Sequence, residues 1–140
     1  MNDSEALSRL AEAVEQMAKS LVERMGGYRP FGGVVDAQGK PELIFDQASV
    51  GVGDAQHSLE RLMATLREEA RSGKWDAVGV ANMAQVRQID GSQRLAIAIS
   101  MHHRLGRCID YVTTFERSAS GAVTFDTGQA GLGRLQFFEN

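Results

Sequence analysis

Residues 75–117 read WDAVGVANMAQVRQIDGSQRLAIAISMHHRLGRCIDYVTTFER, and the fold turns on how this stretch doubles back. Asp90-Gly91 has the composition of a two-residue type I′ turn, whose positive φ angles suit Asp and Gly. It separates Trp75–Ile89 from Ser92–His103. A second reversal at Leu105-Gly106 leads into Arg107–Arg117. Val78, Val80, Val86, Ile97, Ile99, Ile109, Tyr111, Val112 and Phe115 are residues that a pleated, half-buried surface favours. The stretch therefore predicts three long antiparallel strands.

Side chains alternate along a strand, so the turn lengths assign the faces. With two residues in each turn, Arg87 pairs with Arg94 and Arg104 with Arg107. One face is then oily, with Val78, Val80, Val86, Leu95, Ile97, Ile99 and Met101. The other is small at its centre (Ala77, Gly79, Ala81, Ala96, Ala98, Ser100) and carries Arg87, Arg94, Arg104, Arg107 and Arg117. An ordinary solvated face would hold more Thr, Lys and Glu, so something is expected to cover part of it. The residues expected to bind a ligand or partner are Arg87, Arg94, His102, Arg104, Arg107 and Tyr111. Guanidinium groups fork onto carboxylates and phosphates, and Trp75, Tyr111 and Phe115 add stacking surfaces.

Outside this meander the chain alternates helix and strand signals. Residues 4–25 place Leu7, Leu10, Val14, Met17, Leu21 and Met25 at three- and four-residue steps, the pattern of an amphipathic helix. Asn2, Asp3 and Ser4 are available as caps, Glu15 and Lys19 form an i,i+4 pair, and Gly26-Gly27 ends the helix. Tyr28–Ala37 and Glu42–Gln47 read as strands around the turn Ala37–Lys40. Pro41 argues for an edge position. A second helix runs from a cap at Asp54 to about Ser72 and presents Leu59, Leu62, Met63, Leu66 and Ala70. After the meander come a turn at Ser118–Gly121, a short strand Ala122–Asp126, a glycine-rich segment, and Leu135, Phe137 and Phe138, which predict one more docked strand.

The expected fold is α+β: an antiparallel sheet of five to six strands with two helices, in the order α-β-β-α-β-β-β and a further short strand. The 140 residues suit one domain. A 43% hydrophobic share excludes a disordered chain. A net charge of −3 gives no pull toward nucleic acid or an anionic membrane. No apolar run reaches the roughly 18 residues of a membrane helix. The acidic N-terminus lacks the basic-then-apolar order of a signal peptide, and the single Cys108 excludes an internal disulfide, so a cytoplasmic location is expected.

The element order is similar to that of roadblock, longin and profilin-like scaffolds, and to the conical fold of nuclear transport factor 2 and ketosteroid isomerase. Phe31-Gly32-Gly33-Val34-Val35-Asp36 with Gln38-Gly39-Lys40 resembles the start of a small uncharacterised bacterial α+β family. Leu66-Arg67, Ala70, Gly73 and His103-Arg104-Leu105-Gly106 continue the likeness over about residues 30–117. That family has an acidic residue before His-Arg where this chain has His102. The resemblance implies no activity.

Candidate catalytic groups lack supporting context. His102 and His103 point to opposite faces of a strand, which is poor geometry for one metal ion, and no cofactor motif accompanies them. Cys108 is expected opposite His103 but without a cationic setting. Asp110 and Glu116 share a face but lie about 20 Å apart at roughly 3.3 Å per residue. Gly51-Val52-Gly53-Asp54 lacks the third glycine and the Lys-Ser/Thr of phosphate-binding loops. The reading is a non-enzymatic interaction module working as a homodimer. The alternatives are a binder of a small anion or acidic protein on the arginine face, and a small enzyme with a conical-sheet pocket.

Overall fold

A computed structural model describes residues 2–46 and 55–138. The expected glycine loop and the cap at Asp54 lie outside these residues. The first helix, α1 (Asp3–Met25), follows from its stripe: Leu7, Leu10, Val14, Ala18 and Val22 are all buried. Asn2 Oδ1 accepts from the Glu5 N–H at 2.8 Å and caps the start. Gly26 adopts φ +83° at the end and donates its N–H to Val22 O. The Arg117 guanidinium also donates to Val22 O, at 2.8 Å, placing a cation at the negative end of the helix.

After α1 come β1 (Phe31–Val35), β2 (Pro41–Ile44), α2 (Ala55–Arg71), β3 (Ala77–Arg87), β4 (Gln93–His103), β5 (Cys108–Arg117), β6 (Val123–Phe125) and β7 (Gln129–Leu132). Among the described residues the sheet runs β2-β1-β3-β4-β5-β6, with β7 also on β5, and every pair is antiparallel. This is the α+β architecture and element order that the sequence predicts. β2 starts at Pro41 on the sheet edge, where a missing N–H does no harm.

The register of the meander differs from the expected one. Gln88 donates to Ser92 O at 2.7 Å and Gly91 to Gln88 O at 3.0 Å, so Ile89-Asp90-Gly91 is a three-residue loop. The same pair of bonds closes Arg104-Leu105-Gly106, Ala119-Ser120-Gly121 and Ala37-Gln38-Gly39. Each loop places its glycine third, at φ +83°, +88°, +112° and +90° in chain order. This is a type I turn followed by a left-handed residue. Val86 therefore pairs with Arg94, and Arg87 with Gln93. Arg107 O accepts from His103 rather than standing opposite Arg104.

Packing explains why this register wins. It sets large beside small: Gly79 opposite Met101, and Ala81 opposite Ile99. The two-residue turn would have set Val80 against Met101 on one face. The small row Gly79, Ala81 and Gly33 seats α1, whose Leu10 would stand 3.0 Å from a Cβ at Gly33 and 3.3 Å from one at Gly79. Odd-numbered residues of β1 and β3–β5 face α1, with Phe31, Val35, Ile97, Ile99 and Phe115 at the core. Even-numbered residues face α2, where Val34, Val78 and Val80 meet Leu62, Leu66 and Ala70.

The sheet gains one strand over the expectation, and the C-terminal segment docks differently. β7 pairs with β5 at Ile109–Val112. Residues 133–138 then leave the sheet and cross its even face as an irregular strap, bringing Phe137 into the α2 cluster. A Cβ at Gly128 would run into the Tyr111 side chain, and one at Gly133 would lie 2.9 Å from the Ile109 backbone. Missing side chains therefore let this segment lie so close to β5. Among the described residues no helix is long and apolar enough to cross a membrane.

Candidate interaction surfaces

The shifted register scatters the arginines expected on one face. Arg94 projects from the even face, where it meets Asp126 at 3.1 Å and Glu116 at 3.8 Å. Arg104 sits in a loop, and its Nε donates to Asp76 Oδ1 at 2.9 Å. Arg117 caps α1. Arg87 is exposed at the end of β3 on the α1 side. Arg107 and Tyr111 alone come together, on the α1 side. Partners within the chain thus engage four of the five guanidinium groups that a shared anion site would need, Arg107 only at the 3.8 Å that separates it from Asp3.

Arg107 and Tyr111 line a groove of about 670 Å³ between α1 and the β5–β7 edge. It exists because α1 rests on β1–β4 and stops short of β5. Met101, Ile109 and Leu7 form an apolar floor, and Ser4, Glu12 and Lys19 stand on the helical rim. Leu132, beside Ile109 on the same face, is 96% exposed. Glu15 is the fixed polar group: Thr113 Oγ1 donates to one of its oxygens at 3.2 Å, and Lys19 Nζ lies 2.8 Å from the other. Burial first, then the Glu15 charge, pushes the Tyr111 phenol up, so it stays a neutral hydroxyl. The groove suits an elongated ligand or chain with an apolar side, held by Arg107 at one end and by Tyr111 farther along.

Among the described residues nothing but α2 and the strap covers the even face. α2 covers β1 and β3, and the strap covers the His102 end. Between them and the β6 edge lie Ala84, Ala98, Ser100 and Val112, all half-buried and short. Ala98 and Ser100 come from the small row that the sequence predicts to be covered; its β3 members Ala77, Gly79 and Ala81 lie under α1 instead.

The histidines are the clearest departures. His102 and His103 are both buried. They face opposite sides of the sheet, as alternation requires. His103 Nδ1 accepts from the Leu105 N–H at 3.1 Å and braces the loop. His102 Nδ1 accepts from the N–H groups of Phe137 and Phe138, at 2.9 and 3.1 Å. The residue across from Cys108 is His102, because of the longer loop. The Cys108 sulfur contacts Gly106 O at 3.8 Å, and burial followed by Asp110 pushes the thiol up, the wrong direction for a nucleophile. Among the described residues no three His, Cys, Asp or Glu side chains gather to hold a metal.

Comparison with protein-family models, with curated proteins and with solved structures finds no match to this chain. The surfaces stand on their own chemistry. Sequence reasoning read Glu15 only as half of a helical ion pair and passed over Thr113. Its one accessible signal is position: Glu15 follows Val14 directly and so borders the apolar stripe instead of opposing it.

Proposed function

We propose that the chain is a non-enzymatic protein-interaction module that works as a homodimer through its even sheet face. The observation that supports this most is the open surface of Ala84, Ala98, Ser100 and Val112, too small and apolar for a solvated face. α2 stands to one side of it. A two-fold axis parallel to β4 and β5, running between them, lays β4 of one copy over β5 of the other and keeps the two α2 helices apart. It also brings Arg94 over Glu116 of the partner subunit, and the reverse, so the charges complement themselves as an isologous interface requires. Glu116 is 76% exposed and available for this.

Light scattering tests the reading directly. The expected mass is twice the 15.2 kDa chain, unchanged between low and moderate salt because the contact is mainly apolar. Ala98→Glu puts a carboxylate at the centre of the face and is expected to give a monomer with an unaltered circular dichroism spectrum. A monomeric wild type removes the homodimer, and a dimeric Ala98→Glu protein removes this face as its interface.

The groove supports a second reading, a small anionic ligand with an apolar body on Arg107 and Tyr111. Arg107 is half-exposed, and its nearest carboxylate, Asp3, is 3.8 Å away, so a ligand carboxylate can compete for it. Octanoate serves as a probe. Arg107→Glu is expected to weaken its binding at least about tenfold, the loss of one charge-assisted contact. Equal calorimetric titrations of wild type and variant would sink the idea.

A further inference from the structure

The strap 133–138 is tied to the body of the protein by unusual means. It belongs to no strand; Gly133 at its start donates to Cys108 O at 3.1 Å, and beyond that the N–H groups of Phe137 and Phe138 converge on one ring. His102 is fully buried, and its Nδ1 accepts two backbone N–H groups from consecutive residues. Accepting at Nδ1 fixes the tautomer: the ring is neutral with its proton on Nε2, which has no hydrogen-bond partner among the described residues. Phe138 meets the ring edge-on at 5.2 Å. Phe137, two per cent exposed, fills the slot of Val34, Leu62, Leu66 and Val78.

We propose that His102 is a pH-sensitive latch, which holds the C-terminal strap over the α2 face when neutral and releases it when protonated. This rests on geometry that does not depend on the homodimer reading. Protonation puts a hydrogen on Nδ1, turning the one acceptor into a donor that faces two donors. Both bonds are lost together, and the cation is left in an apolar slot, which costs more than the bonds themselves.

Among the described residues no carboxylate is placed to rescue the cation. Cys108 lies opposite on β5 with its thiol protonated, and Val78 opposite on β3. Asp110, two residues along β5 on the same even face, has its carboxylate against Gly133. Glu69 of α2 is engaged by the Trp75 indole N–H at 2.7 Å. Arg134 of the strap is exposed, and His103, next along β4, faces the other side. Burial first, then His103, lowers the affinity of His102 for a proton. The sign follows. The unfolded or released ring takes a proton near pH 6.5 and the latched ring only below that. The latch is therefore at full strength above about pH 6.5 and weakens as pH falls beneath it.

Release leaves the slot between α2 and β3 exposed, lined by the residues that Phe137 now covers. Trp75, the only tryptophan, packs on this same cluster and reports on it.

The experiment is amide hydrogen exchange on the full chain from pH 8 to pH 5, corrected for the intrinsic rate, with Trp75 emission followed in parallel. Protection of the Phe137 and Phe138 amides is expected to fall by up to about tenfold per pH unit below about pH 6.5, the slope for one proton, until the latched ring itself is protonated. The β3–β4 amides keep theirs. His102→Asn offers an acceptor oxygen near the Nδ1 position and cannot titrate, so its strap is expected to stay protected throughout. Strap amides protected equally at both ends of the range would overturn the proposal. So would their loss in step with β3–β4, which is global unfolding, or a His102→Asn protein that releases its strap at the wild-type midpoint. If that variant fails to fold, the wild-type ring is titrated by NMR. A ring midpoint that differs from that of strap release by about one unit or more counts against the latch.

Discussion

Phe31→Ala is expected to lower the free energy of unfolding by about 3–5 kcal/mol, the largest effect of any single truncation in this chain. Phe31 is fully buried at the first position of β1, on the α1 side. Its ring stacks on Phe45 at 5.2 Å and meets Tyr28 edge-on at 5.3 Å, so two aromatic rings lose their common neighbour together. Tyr28 is itself pinned, its hydroxyl donating to Asn82 O at 2.8 Å, and is poorly able to move into the cavity. Because the surroundings cannot collapse, the cavity adds to the lost transfer energy. The measurement is the urea midpoint, with the slope unchanged. A shift equivalent to less than about 1.5 kcal/mol would mean that the site refills.

The second large effect is expected at Gly33. A Cβ there would lie 2.8 Å from Val14 Cγ2 and 3.0 Å from Leu10 Cδ1, both fully buried side chains of α1. Gly33→Val adds two further methyl groups to that contact. Valine favours strands, and on an open strand it would stabilise by a few tenths of a kcal/mol. Overpacking wins here, because α1 must lift or its side chains must leave their rotamers. The expected loss is about 1–3 kcal/mol. Gly131→Ala is the control, since nothing lies within 4 Å of a Cβ at that glycine. Its expected change is below about 0.5 kcal/mol, as for a surface substitution. Equal thermal midpoints for the two variants would remove the claim that α1 is seated on a missing side chain.

The helices and their buried stripes were legible in the sequence because their signal is local and repeated. One residue every three or four turns inward over more than five turns of α1, and no neighbour can imitate that. Register was not legible, because the same letters support two loops. Asp90-Gly91 satisfies a two-residue turn, while Gly91 alone satisfies the third position of a three-residue loop. Only the fit of Gly79 and Ala81 beneath α1 decides between them. The same ambiguity at Leu105-Gly106, resolved as the loop Arg104-Leu105-Gly106, moved Arg94 to the opposite face from Arg107 and Tyr111 and turned an expected cluster of arginines into separate ion pairs. It also exchanged His103 for His102 opposite Cys108. Tyr111 and Arg107 were recognised because aromatic and guanidinium groups announce themselves. Glu15 was not, because its role depends on where α1 stops above the sheet. Phe137 and Phe138 were seen to need a docking place, but a strap held by one ring has no sequence period.

Gly32 and Gly33 stand back to back in β1. On one side a Cβ would touch Leu66 of α2, and on the other Val14 and Leu10 of α1. For those two residues the wall between the two cores is bare backbone, with no layer of side chains to cushion it. A shift of α2 by a few tenths of an ångström presses directly on the strand that carries α1. The two hydrophobic clusters, though separated by a sheet, are geared to one another at this point. A disturbance under the strap is thereby felt in the helix that forms the wall of the groove on the far side.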